Sequence, residues 1–109
     1  MELKKDEIYT FKLNSGEELV AKVIGVESNS AGGIFYSDTF VVSNPVAIGP
    51  GPGGGLGLVP SMFTYKPDSE VRLNSNSISV IAETDDGVKS KYIQATTGIR
   101  LPDKKIVLG

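Results

Sequence analysis

Two adjacent carboxylates, Asp85 and Asp86, are the residues of this 109-residue chain best placed for acid–base or cation chemistry. Such a pair can share a proton or hold a divalent ion. The same position fits a simpler role, because an aspartate just ahead of a helix caps its free amides; capping accounts for at least one of the two. Serine and threonine are plentiful, but cysteine and histidine are both absent. There is therefore no thiolate nucleophile, no histidine base, no disulfide and no ordinary zinc ligand set. Lysines and carboxylates remain as bases, yet neither a nucleophile elbow nor a Ser-x-x-Lys segment occurs. The expectation is a non-enzymatic protein with no metal and no cofactor.

Phosphate chemistry finds no better footing. Residues 49–55 are all glycine or proline, but no Gly-Lys-Ser/Thr follows them, so the stretch reads as a hairpin tip or surface loop and not as a phosphate-binding loop. Eleven Lys and Arg stand against thirteen Asp and Glu, a net charge of -2. That balance removes the global attraction on which tight, salt-sensitive duplex binding depends. The charged N-terminal residues Glu2 to Glu7 lack a signal-like apolar run, and no stretch approaches a membrane span. The expected location is the cytoplasm, with no membrane partner.

The elements that would position any site are mostly strands. Tyr9, Phe11 and Leu13 alternate with polar residues over Ile8 to Leu13, and Asn14-Ser15-Gly16 turns the chain into a second run, Glu17 to Val26. That second run is apolar on both faces and is interrupted by Gly25, which suits a bent barrel strand or, equally, an ordinary sandwich strand. Thr39 to Ile48 reads as a third strand, with a bulge or edge where Asn44-Pro45 removes an amide donor. Ile34 to Tyr36 is either a short strand or a cover. Strand character returns over Leu56 to Tyr65, Val71 to Leu73 and Ser77 to Ala82. The period then changes: Val88, Tyr92, Ala95 and Ile99 recur at helical spacing, giving one short helix over 87–97, expected across a barrel mouth. The tail, 102–109, ends in the apolar run Ile106, Val107 and Leu108 and is free to fray or to add a strand to a neighbour.

With 39% apolar residues, the whole chain 1–109 has room for one domain and a modest core. A chain of this size is marginal alone, so oligomerisation is an early expectation.

Two segments bring a family into view. Tyr9 to Glu27 is similar to the first half of the first Sm motif: an apolar strand, a turn glycine at Gly16, a long bent strand, and an acidic residue at Glu27 where the family usually has Asp. Val71 to Ile81 resembles the second Sm motif, except that Asn74-Ser75 stands where Arg-Gly is expected. With Phe40 to Val46, Leu58 to Met62 and Tyr92 to Ile99 included, residues 7–101 resemble the short Sm-like proteins encoded by large tailed phages, cyanophages among them.

This resemblance implies a mainly β protein: a small, strongly bent five-stranded SH3-like barrel over 7–82 with one short C-terminal helix. It further implies a homo-oligomeric ring of about five to seven copies, joined by strand pairing between subunits. Sm rings bind single-stranded RNA by stacking bases at the two motif loops. Carried onto this sequence, the candidate nucleic-acid residues are Asn29 and Tyr36 from the first region and Arg72 and Asn74 from the second. The alternative is a structural or adaptor ring that contacts phage or host protein and no RNA, which the negative net charge and the missing Arg-Gly pair favour.

Overall fold

The alternation at Tyr9 and Phe11 forms strand β1 (Ile8–Leu13), and Gly16, at φ 98°, closes the turn into β2 (Glu18–Asn29). Few side chains tolerate that φ, which is why the turn needs glycine there. In this computed structural model, which describes residues 3–29, 37–50 and 52–97, the remaining elements are β3 (Ser37–Pro50), β4 (Leu56–Pro60), β5 (Glu70–Asn74), β6 (Ile78–Glu83) and the helix α1 (Asp86–Thr96). Single 3-10 turns occupy Pro52–Gly54 and Ser75–Ser77.

All strand pairs are antiparallel, in the order β4-β3-β2-β1-β6, with β5 paired to β3 off that path. The protein is thus mainly β, as expected, but among the described residues it has six strands and not five, and no ladder closes the sheet. The extra strand arises because β3 is long enough to serve two partners on one side. Its first half, Thr39 to Ser43, pairs with β5, and its second half, Val46 to Pro50, pairs with β4. The strand expected over Leu56 to Tyr65 stops at Pro60, and Ser61 turns back to donate its hydroxyl to the Pro45 carbonyl at 2.9 Å.

Both glycine and proline signals mark bulges. Along β2–β3 the register slips between Val23 and Gly25, and again where Val20 faces Val46 but Lys22 faces Ser43. Each slip inserts one residue and reverses which side chains face inward. Phe40 and Val42 enter the main core with Tyr9, Phe11, Leu19, Ala21 and Val23, whereas beyond the Asn44-Pro45 bulge it is Ala47 that does so. Val46 and Ile48 turn to the opposite face, where they meet Ile8, Val20 and the buried Tyr92 of α1. The helix therefore lies on the outer face of the sheet and not across a barrel mouth. Apolar residues on both sides of β2 serve two cores.

Asp85 caps α1 as expected, its Oδ2 accepting from the Val88 amide at 3.1 Å. The helix begins and ends one residue earlier than its spacing suggests. Within the glycine-proline stretch, Gly49 and Pro50 end β3, and Gly53 and Gly54 take φ of 81° and 89° around the 3-10 turn. Ile34 to Tyr36 and the tail 102–109 lie outside the described residues. Among the described residues, no helix is long and apolar enough to cross a membrane.

Candidate functional site

On β5 the side chains alternate: Val71 and Leu73 pack against the main core, which leaves Arg72 and Asn74 exposed. The register places Gly25, Val41 and Arg72 in one row across β2, β3 and β5, and Glu27, Thr39 and Asn74 in the next but one. Gly25 brings no side chain to its row. Arg72 leans diagonally across β3 to Glu27, donating from Nη2 to Oε2 at 3.1 Å and from Nε to Oε1 at 3.3 Å, and Nη2 also reaches Oε1 of Glu70 at 3.5 Å. This fork geometry is the strong form of an arginine–carboxylate contact. The hydrogen bond from Arg72, then its charge, holds the Glu27 carboxyl below its ordinary pKa; reciprocally, Glu27 raises Arg72.

Asn74 has a local structural role. Its Oδ1 accepts from the Asn76 amide at 2.8 Å and its carbonyl accepts from the Ser77 hydroxyl at 2.7 Å, which fixes the 3-10 turn into β6. Asn29 ends β2, opposite Ser37. Three of the four candidate residues, Asn29, Arg72 and Asn74, are therefore brought to one end of the sheet, on either side of the first half of β3. Tyr36 lies outside the described residues.

The same end holds a depression of about 580 Å³ lined by Val26, Phe40, Ile78 and Ile81, with Asp38 and the hydroxyl-bearing Ser75 and Ser79 among its polar groups. Ser79 donates to Asn14 Oδ1 at 2.6 Å, which ties the turn after β1 to β6. Among the described residues lining this depression there is no cation. Its chemistry suits an apolar or hydrogen-bonding ligand better than a phosphate. Sequence reasoning missed both this apolar floor and the Glu27–Arg72 pair. Glu27 was visible as an acidic position, but nothing in the spacing tells which cation meets it across 45 residues.

In comparisons with known proteins, no family model matches the chain and no curated protein matches it.

Proposed function

We propose that this chain is a non-enzymatic Sm-like small barrel that assembles with copies of itself into a closed ring, and that the ring serves as a structural or protein-binding scaffold. The observation that carries the reading is a pair of open edges. Among the described residues, β6 pairs only with β1 and β5 pairs only with β3, so each keeps one free edge, and the two strands are joined by a single 3-10 turn. Exposed edges favour pairing with another chain. Joining the β5 edge of one copy to the β6 edge of the next is a head-to-tail contact, and such contacts close into rings when the rotation permits. By its resemblance to phage-encoded Sm-like proteins, such a scaffold would act in virion assembly or host interaction.

Single-stranded RNA is the second reading, favoured by the gathering of Asn29, Arg72 and Asn74 around β3. Against it, Arg72 already satisfies two carboxylates and Asn74 caps a turn, so a ligand would have to replace those contacts.

Native mass spectrometry with light scattering tests the ring: a discrete mass of about five to seven chains supports it, and a sharp monomer at micromolar concentration overturns it. Filter binding with uridine- and adenosine-rich oligonucleotides separates the two roles. Salt-dependent retention selects RNA, and no retention leaves the scaffold.

A further inference from the structure

The second core is left open on one side. Between α1 and β4, the outer face of the sheet forms a groove of about 570 Å³, with Val20, Ile48 and Leu58 on its floor and Val88 on its wall. Leu56, at the lip, is 79% exposed. Covering apolar surface gains about 25 cal/mol per Å², so the groove is suited to an apolar occupant. Among the described residues its rim is acidic, with Glu18, Glu83 and Asp85 set against Lys91. An extended segment with an apolar run next to positive charges matches both properties.

The chain contains such a segment. Residues 98–109 carry Arg100, Lys104 and Lys105 against Asp103, a net charge of +2, and Ile106, Val107 and Leu108 follow directly on the two lysines. The reach is sufficient. The stretch from Thr97 to Ile106 spans about 30 Å when extended, whereas the return along α1 from Thr96 to Val88 covers only about 12 Å. The other apolar run outside the described residues, Ile34 to Tyr36, belongs to the connection between paired Asn29 and Ser37, at the opposite end of β3 from Ile48.

From this combination of open groove, acidic rim and tethered basic-apolar segment, we infer that residues 104–108 dock in cis into the groove beside α1. The apolar triplet covers Ile48, Leu56 and Leu58, and Lys104 and Lys105 face Glu18 and Glu83. The docked segment completes the second core and shields Leu56.

A chain without cysteine makes the test direct. Gly109→Cys in the 109-residue chain gives a single attachment point for a nitroxide spin label. Methyl signals of Val20, Ile48 and Leu58 are expected to lose most of their intensity, while those of Val26 and Leu73 keep theirs. Adding Lys104→Glu and Lys105→Glu to the labelled chain should restore the lost intensity severalfold. Mixing spin-labelled, isotopically silent chains with unlabelled, isotope-enriched chains should give no loss. Absence of loss at the groove within the labelled molecule overturns the docking. Loss in the mixed sample assigns the groove to the tail of another copy and overturns the cis arrangement. Loss that survives the lysine reversals overturns the part given to the acidic rim.

Discussion

Tyr92 is 2% exposed, and its hydroxyl sits where the β2–β3 ladder slips. It accepts from the Lys22 amide at 3.2 Å, and the Ser43 and Asn44 carbonyls lie at 3.0 Å from it to receive its proton. A bulge leaves backbone groups without ladder partners, and here one phenol serves three of them. Burial pushes the Tyr92 pKa up from 10.0 to about 12, against the Lys22 amide, which favours the phenolate. Because the folded value lies above the unfolded one, the stability is fully present below about pH 10 and is lost as pH rises towards 12, by up to about 3 kcal/mol. Tyr92→Phe should abolish that alkaline loss and cost about 1–3 kcal/mol at neutral pH, since it strands the amide and both carbonyls. Urea unfolding of both proteins across that pH range checks both statements. The sequence placed Tyr92 on the helix face with Val88 by spacing alone. Its partners could not be read, because the bulge it serves lies 48 and 49 residues away.

At the scale of elements, the local signals were those that carried. Gly16 marked the first turn, Gly25 and Asn44-Pro45 marked the two register slips between β2 and β3, and Asp85 marked the start of α1. Each is a case in which backbone chemistry acts within a few residues. Asp85→Ala should remove the cap on Val88 and cost about 1 kcal/mol, read as a lower denaturant midpoint with an unchanged slope. Partnership between distant strands was not legible. Nothing within Ser37 to Pro50 announces that its two halves pair with different strands, and the strand read through Tyr65 ends at Pro60 because Ser61 is recruited by Pro45, 16 residues earlier in the chain. The candidate site divides in the same way. Sequence spacing marked Arg72 and Asn74 as neighbours of a turn, but the diagonal reach of Arg72 to Glu27 depends on the register across β3.

The molecule is elongated, 48 by 25 by 23 Å, and among the described residues only Tyr92 of the apolar core comes from beyond Ala47. The later strands lend half-buried side chains to that core and leave much else bare. On β6, Ser79, Val80, Ile81 and Ala82 carry no charge and no proline, and Val80 is 54% exposed. Of the other free edges, β4 is blunted by Pro60, whereas β5 holds no proline. An uncharged edge is the one most open to pairing. Val80→Glu should therefore dissociate the proposed ring, while the neighbouring Lys12, opposite it on β1, keeps the change in monomer stability within about 0.5 kcal/mol. Native mass and the unfolding midpoint, measured on one sample, separate loss of assembly from loss of fold.

The extra residue at Asn44-Pro45 works as a phase shift between two patterns written on one ribbon. Removing it would swing Val46 and Ile48 inward and Ala47 outward at a stroke, emptying one compartment while overfilling the other. Lengthening the glycine-proline bend a few positions later would disturb neither. Two nearby sites of similar local appearance thus carry opposite tolerance to change in chain length, so any collection of natural or engineered variants should vary freely at the bend and hold its count of residues at the shift.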